Sequence, residues 1–472
     1  MKMIPHLVSA AWFLLGTVSM VPAASLESTQ ADRESLSLTV YNTDLGLVKD
    51  RRSIDIPKGL SELRFMDVAA QIIPASVQVT ASGSQLRLLE QNYEYDLLNP
   101  QKLLDKYVGK EVRLFQKNPY SEREEEVKAL LLSNNGGPIF RIGKEITFNH
   151  PGRIIFPEIP ADLIATPTLV WLLEGTGPGR QQVEASYLTG GLTWKADYTL
   201  TLGKESGLAD FAGWVTIDNR SGATYRDARL RLVAGDINRV REEPQRGRIY
   251  KTAVAEMADA AQFKEESLFE SHLYTLQRLS TIKDNKIKQI ALFSASSVPV
   301  RRELVMRPEN VWYGNPQSGE TGTRQKLAVF IEFDNREALK LGMPLPRGTV
   351  RVYQQDAESS LQFVGEDAIA HTPKDEKVRV KVGDAFDVTA MRRQTDWKKL
   401  AKDTYEAAWE VVIRNHKKED VLVKVQEPFS GDWTVVDSST PSAKRDSQTA
   451  EFNVPVKKDD ETRLTYRVRV RY

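Results

Sequence analysis

Three arginines near the end of the chain have the spacing of an anion-binding surface. Arg467, Arg469 and Arg471 alternate with apolar residues, which is typical of a half-buried β-strand. In such a strand their side chains share one face, with neighbouring positions about 6.6 Å apart. Because guanidinium groups bind carboxylates and phosphates through paired hydrogen bonds, this arginine stripe predicts a site for lipid phosphate or acidic polysaccharide. The alternative is a solvated face that protects an edge strand from aggregation.

The histidines and nearby acids do not have the spacing of a metal site. His272, His371, Asp384 and Asp387 are potential ligands. No two of the four histidines after residue 23 lie within five residues of each other, whereas motifs such as His-Glu-x-x-His place them close together. The sequence therefore predicts no metal and no other cofactor, and it predicts hydrogen-bonding roles for these side chains.

The sequence contains no motif that identifies a catalytic residue. It has no cysteine and no Gly-x-Ser-x-Gly segment, which excludes thiol chemistry and the nucleophile elbow of many hydrolases. Two carboxylates that are distant in sequence can still hydrolyse a glycoside when the fold brings them together. The 64 acidic residues do not single out such a pair. We therefore predict a binding protein, with an exported glycan-active hydrolase as the alternative.

The arginine stripe lies on the last strand of a predicted C-terminal domain, residues 401–472. Polar turns recur about every ten residues between segments of alternating apolar residues, which is the pattern of an immunoglobulin-like sandwich, here without a disulfide. The predicted strands contain Trp409 to Ile413, Val421 to Val425, Trp433 to Val435, Phe452 to Val454 and Leu464 to Val470.

The rest of the chain also has the pattern of short strands. Residues 24–160 predict a β module with a short helix, which begins after Asn99, has Pro100 at its first position and ends at Gly109. Residues 161–400 predict a central β domain with a flexible linker near 240–266. The fold class is therefore mainly β, with multi-domain antiparallel β-sandwiches and a few short helices.

Three strands of the central domain flank a proline-rich turn. Apolar residues alternate in Leu327–Phe333, in Val350–Val352 and in Val378–Val382. Between the first two strands lies Pro344–Thr349, whose two prolines and Gly348 predict a sharp reversal of the chain.

The N-terminal residues predict export from the cell. Lys2 precedes the apolar run Leu7–Val21, and Val21-Pro22-Ala23 resembles a cleavage site, so residues 1–23 are predicted to be a signal peptide. No later apolar run reaches the ~18 residues of a membrane span. The 65 basic and 64 acidic residues nearly balance, which argues against nucleic acid as the main partner. The predicted location is the periplasm or the extracellular space.

Several segments resemble one bacterial family. The run Glu90–Val112, the pattern of Trp194, Tyr198 and Asn219, and the segment Leu268–Val300 are similar to the exported domain-of-unknown-function family DUF4139, which also includes mucoidy-inhibitor-A-like proteins. The resemblance covers nearly all of the chain after residue 23. It implies a fold of packed sheets and a link to capsule or exopolysaccharide production.

Within the first matched run, Tyr93, Tyr95 and Leu97 predict either a carbohydrate platform or core packing. The sequence as a whole predicts a non-catalytic protein of the cell envelope. It would bind an envelope polymer or an envelope protein through sheet edges and loops.

Overall fold

The structure is a computed structural model. It describes residues 24–81, 86–94, 96, 98–117, 124–148, 150–160, 163–203, 207–235, 237–238, 263–309, 312–317 and 322–472. The predicted signal peptide lies outside these residues, as does most of the predicted linker near 240–266. The last part of that linker belongs to a strand, Phe263–Leu268. In the described part of the chain, no helix is both long enough and apolar enough to cross a membrane.

The fold is mainly β, as predicted. Up to residue 189 the described elements are β1 (Ala24–Ser28), β2 (Arg33–Tyr41), β3 (Leu45–Ile56), β4 (Gly59–Phe65), β5 (Gln78–Ala81), β6 (Leu86–Glu94), α1 (Pro100–Tyr107), β7 (Glu111–Lys117), β8 (Glu124–Ser133), β9 (Ile139–Ile142), β10 (Glu145–Phe148), β11 (Arg153–Ile155), β12 (Thr168–Gly175) and β13 (Gly179–Thr189), with 3-10 turns at Gln30–Asp32 and Pro74–Ser76.

The remaining described strands follow in close succession. They are β14 (Leu192–Leu202), β15 (Leu208–Asn219), β16 (Tyr225–Ala234), β17 (Phe263–Leu268), β18 (Ser271–Leu276), β19 (Ser280–Ile282), β20 (Lys286–Pro299), β21 (Arg301–Met306), β22 (Thr323–Gln325), β23 (Leu327–Asp334), β24 (Gly348–Gln355), β25 (Leu361–Ile369), β26 (Lys377–Asp384), β27 (Val388–Lys399), β28 (Thr404–Asn415), β29 (Val421–Pro428), β30 (Asp432–Ser438), β31 (Ser442–Asp446), β32 (Thr449–Val456) and β33 (Asp460–Arg471), with a 3-10 turn at Glu337–Leu339.

The chain forms two compact units. The first contains the described residues of 24–36 and 48–188, and the second contains residues 37–47 and the described residues of 189–472. The first unit has a four-stranded sheet in the order β1-β4-β12-β6 and a five-stranded sheet in the order β10-β9-β8-β7-β11. The predicted helix is confirmed as α1. The side chain of Asn99 caps it by accepting a hydrogen bond from the N–H of Lys102 at 2.9 Å, and Tyr107 packs on the second sheet.

The second unit contains three sheets that bear on function. Their strand orders are β20-β15-β14-β24-β25, β26-β23-β21-β29-β32-β31 and β22-β27-β28-β33-β30. Most pairings are antiparallel, but β14 pairs with β24 and β21 pairs with β29 in parallel. Parallel neighbours require a crossover connection, so local alternation does not predict them.

The strands on either side of Pro344–Thr349, where a sharp reversal of the chain is predicted, do not pair with each other. Strand β23 pairs with β21 and β26, whereas β24 belongs to a different sheet. The segment between them crosses from one sheet to the other and pairs with neither strand. Its proline carbonyls are satisfied by buried tyrosine hydroxyls: Tyr198 donates to Pro346 at 2.6 Å and Tyr274 donates to Pro344 at 2.8 Å.

Residues of the sequence pattern that includes Tyr198 also hold the fold. Trp194 donates its indole N–H to the carbonyl of Val233 at 3.1 Å, and the side-chain amide of Asn219 donates to the carbonyl of Ala223 at 2.9 Å. The pattern therefore specifies packing and turn geometry.

The last two sheets pack face to face as a C-terminal sandwich. All five predicted strands of this domain are present, as β28, β29, β30, β32 and β33. Strands before residue 401 complete both sheets, and their side chains enter the same core. The buried contributors from this earlier part are Leu304, Met306, Tyr313, Leu327, Val388 and Ala390.

Candidate functional site

The arginine stripe lies on an interior strand. Arg467, Arg469 and Arg471 follow one face of β33, while Val468 and Val470 point into the core. Strand β33 pairs with β28 on one side and with β30 on the other. The prediction that the stripe protects an edge strand is therefore wrong, because the backbone of β33 is hydrogen-bonded on both sides.

The arginines of the stripe are engaged in ion pairs with neighbouring strands. Arg467 lies 2.8 Å from Asp396, Arg469 lies 2.9 Å from Glu406, and Arg471 lies 3.4 Å from Asp403. The hydrogen bond from Arg469 is the largest cause of the lowered pKa of Glu406. An external anion would compete with these carboxylates for the same guanidinium groups.

The histidines considered as metal ligands make separate hydrogen bonds. His371 accepts a hydrogen bond from the backbone N–H of Arg347 at 3.1 Å, and the ring of His272 lies 2.7 Å from the carboxylate of Glu265. Among the described residues, no group of three or more histidine and acidic side chains could hold a metal ion.

The predicted aromatic platform near residue 93 is described only in part. Tyr93 donates its hydroxyl to the carbonyl of Ala70 at 3.3 Å, whereas Tyr95 and Leu97 lie outside the described residues. Both interpretations of these residues, a carbohydrate platform and core packing, therefore stay predictions.

A basic hollow of about 400 Å³ lies on the other sheet of the C-terminal sandwich. Its size is in the range of small-ligand pockets. Alternation along β21, β23, β26 and β29 directs one set of side chains into the core and the other set outward to this hollow. Its floor is formed by Val305, Ala328, Phe330 and Gln426, and its cationic side chains are Arg307, Lys326, Arg379, Lys381 and Arg445.

Positive charge exceeds negative charge in the basic hollow. Of the described residues that line it, only Asp384 carries a carboxylate, and it lies 3.6 Å from both Lys326 and Lys381. Arg445 is 3.8 Å from Glu451. These contacts are longer than those of the stripe at Arg467 and Arg469, so the cations of the hollow are less tightly bound to internal carboxylates.

One cation of the hollow is fixed in position by its neighbours. The guanidinium of Arg379 stacks 3.7 Å from the ring centroid of Phe330 and contacts Glu303 and Glu332 at 3.4 and 3.2 Å. Burial acts to raise the pKa of Glu303, but the hydrogen bond from Lys424 and the nearby positive charges outweigh it and lower the pKa. This network orders the wall of the hollow, because each partner is held from two sides.

A second hollow of about 380 Å³ adjoins the basic hollow through Arg307, which lines both. It is polar, and Asp446 on its wall has a lowered pKa, chiefly because it accepts a hydrogen bond from the backbone N–H of Gln448. The two hollows together offer an extended surface, which suits a polymer better than a small molecule.

A larger hollow of about 720 Å³ has a different character. Ten of the described residues that line it are apolar, and three of its charged side chains form ion pairs, Arg302 with Glu419 and Asp420 with Lys457. The apolar lining residues are Leu202, Leu208, Val300, Leu304, Val329, Ile331, Val364, Val382, Val421 and Leu422. The basic hollow is therefore the stronger candidate for a charged ligand.

The sequence contains a signal for the basic hollow. Arg379 and Lys381 alternate with Val378, Val380 and Val382, in the same pattern as the arginine stripe. The pattern alone could not show that Lys326, which directly precedes β23, lies beside these cations, or that Arg445 comes from β31 at the far edge of the sheet.

Comparison with known proteins identifies a family for this chain. The model of the domain of unknown function DUF4139 matches residues 183–472, which is more than half of the chain and includes the C-terminal sandwich. A search of curated proteins finds no match.

Proposed function

Because the chain belongs to the DUF4139 family, whose domain has no assigned function, we propose a role from the geometry of the basic hollow. The protein is an exported, non-catalytic envelope protein that binds an anionic polymer, such as an acidic polysaccharide. The observation that supports this role is that, among the described residues, five cationic side chains and one carboxylate line the hollow, which adjoins a second polar hollow through Arg307.

The contacts within the hollow favour binding over catalysis. Asp384 lies between Lys326 and Lys381, where a carboxylate acts as an ion-pair partner. An acid-base pair for glycoside hydrolysis needs two carboxyl groups with separated roles. Among the described lining residues, Asp384 has no such second carboxyl group beside it. A link to capsule or exopolysaccharide production would follow if the bound polymer were the exported polysaccharide itself.

Two charge-matched variants test which cationic surface binds. Lys326→Ser/Lys381→Ser/Arg445→Ser removes three positive charges from the basic hollow, and Arg467→Ser/Arg469→Ser/Arg471→Ser removes three from the stripe on the opposite sheet. Exposed charge contacts contribute up to about 1 kcal/mol each, and about 1.4 kcal/mol is tenfold in Kd. We expect the hollow variant to bind polyuronate at least tenfold more weakly and the stripe variant to bind it like the wild type.

The measurement is a titration of residues 24–472 with alginate, a polyuronate, at two salt concentrations, with dextran as the neutral control. Binding to the folded state also raises the melting temperature, since a hundredfold excess over Kd adds about 2.7 kcal/mol of stability. Loss of binding in the stripe variant alone would show that Arg467, Arg469 and Arg471, and not the basic hollow, bind the polymer. Equal binding by all three proteins would contradict both sites.

A further inference from the structure

The outer face of the five-stranded sheet β20-β15-β14-β24-β25 carries a second set of ordered polar and aromatic side chains. Trp214 on β15 is 41% exposed and lies directly opposite Asp197 of β14 in the register of the two strands. The opposite side of this sheet is packed, with Tyr198, Phe211 and Val215 buried. A large aromatic ring therefore lies open to solvent on a rigid, well-supported sheet.

Asp197 anchors a row of hydrogen bonds beside this ring. Its side chain is 11% exposed. Its carboxylate accepts from the hydroxyl of Thr216 at 2.8 Å and from the guanidinium of Arg351 at 3.1 Å, and it lies 3.4 Å from the ammonium of Lys195. Burial acts to raise the pKa of Asp197, but the hydrogen bonds from Thr216 and Arg351 outweigh it and lower the pKa. The carboxylate is thus held as a fixed acceptor.

The row continues to both edges of the sheet. Gln289 on β20 donates to Thr216 at 3.2 Å, and Arg351 on β24 lies 3.2 Å from Glu366 on β25. Every strand of the sheet therefore contributes at least one polar side chain to a continuous chain of contacts, and β14 contributes both Asp197 and Lys195. Its two carboxylates are balanced by the charges of Arg351 and Lys195.

An aromatic pair lies on the same face as Trp214. Tyr353 and Phe363 make an edge-to-face contact at 5.7 Å, and Phe363 is 56% exposed. Tyr353 follows Thr349, which is in register with Asp197, by four residues, or about 13 Å along the strand. The two aromatic groups are therefore too far apart to contact a single sugar ring.

We propose that this face, formed by Trp214, the polar row and the Tyr353–Phe363 pair, binds a neutral oligosaccharide. The aromatic rings present flat apolar surfaces to the C–H faces of pyranose rings. The solvent-accessible side chains of the row, Gln289, Lys195, Arg351 and Glu366, can donate hydrogen bonds to sugar hydroxyls or accept them, and the buried carboxylate of Asp197 holds the row in place. The balanced charge of the row distinguishes this face from the basic hollow and favours an uncharged ligand. The inference is independent of the proposed polyanion site.

The test uses neutral hexasaccharides of β-1,4-glucose, β-1,3-glucose, α-1,4-glucose and β-1,4-N-acetylglucosamine, with the matching disaccharides. Binding to residues 24–472 is measured by calorimetry and by protection of tryptophan fluorescence from iodide quenching. Central aromatic contacts contribute about 2 kcal/mol or more, so Trp214→Thr is expected to weaken the binding of the hexasaccharide at least tenfold. Trp214→Tyr, which keeps an aromatic ring, is expected to retain most of the affinity.

Two further variants define the face. Phe363→Ser is expected to weaken the binding of the hexasaccharide and to leave the binding of the disaccharide unchanged, because only the longer ligand reaches both aromatic groups. Phe386→Ser, which removes a side chain that is 91% exposed elsewhere, serves as the matched control and is expected to bind like the wild type. The proposal is overturned if no neutral hexasaccharide binds, or if folded Trp214→Thr binds with unchanged affinity. Alginate binding by Trp214→Thr shows separately whether the basic hollow is intact.

Discussion

Replacing Asp50 with asparagine is expected to destabilise the first unit by about 3–5 kcal/mol, because it removes one partner from a buried cluster of charges. Asp50 is 1% exposed and lies 2.7 Å from Arg33 and 2.9 Å from Arg52, whose side chain is fully buried. Asparagine keeps the shape of the side chain but leaves two guanidinium groups without a counter-charge. Arg52 is further held by the carbonyls of Ser28 and Met66 at 2.8 Å each.

The measurement is hydrogen exchange followed by mass spectrometry, which reports the stability of each unit separately. Peptides from β3 and β4 are expected to exchange faster in Asp50→Asn, while peptides from β28 and β33 in the second unit serve as an internal reference. Asp55→Asn removes an exposed carboxylate from the same strand and is expected to change stability by less than about 0.5 kcal/mol. An equal effect of the two variants would mean that the buried cluster contributes no more than a surface charge.

The buried cluster around Asp50 also predicts how the stability of the first unit changes at low pH. Burial acts to raise the pKa of Asp50, but the hydrogen bond from Arg33 and the charge of Arg52 outweigh it, so the pKa in the folded state is lowered. A lowered pKa stabilises the folded state above the unfolded value of about 3.9, and this contribution is lost as the pH falls through the folded value. The wild type should therefore lose first-unit stability below about pH 4 more steeply than Asp50→Asn.

Alternation of apolar residues was sufficient to predict the strands but not their neighbours. Val378, Val380 and Val382 do form a strand with one buried face. The same rule could not predict that β26 pairs with β23 while β24 joins another sheet, because a period of two gives the face of a strand and not its partner. The helix α1 was predictable at both ends, since the cap at Asn99, the first-turn proline and Gly109, which has a φ of 81° just after the helix, all act locally.

The candidate sites are harder to predict from the sequence than the strands are, because each site combines strands that are distant in sequence. The arginine stripe is visible in five consecutive residues, yet its counter-charges Asp396, Asp403 and Glu406 come from outside that segment. The face around Trp214 takes one polar residue from each of five strands. Short spacing therefore predicts a charged surface well, and it predicts neither the ion pairs that neutralise it nor a site assembled across a sheet.

A buried ion pair in the core of the C-terminal sandwich also joins residues that are distant in sequence. Breaking this pair is expected to cause a second large loss of stability. Arg392 on β27 and Glu427 on β29 come from opposite sheets and form two parallel hydrogen bonds of 3.0 and 2.9 Å. Their side chains are 5% and 0% exposed, and the guanidinium stacks 3.5 Å from the ring centroid of Trp409. Arg392→Met leaves the carboxylate buried without a partner, so a loss of about 3–5 kcal/mol is expected.

The double variant Arg392→Met/Glu427→Leu separates the cost of an unpaired charge from the contribution of the pair. Removing both charges leaves an apolar core, and replacement of a buried ion pair by packed apolar residues is often neutral or stabilising. The double variant should therefore be more stable than Arg392→Met alone, in urea unfolding and in the exchange of β28 peptides. Arg393 lies on β27 beside Arg392, is exposed and is paired with Glu410 on β28. Arg393→Met should therefore have little effect on stability. If the double variant is instead as unstable as the sum of its two single variants, the interaction energy between Arg392 and Glu427 is zero, and the loss in each single variant comes from that side chain's other contacts, such as the stacking of Arg392 on Trp409.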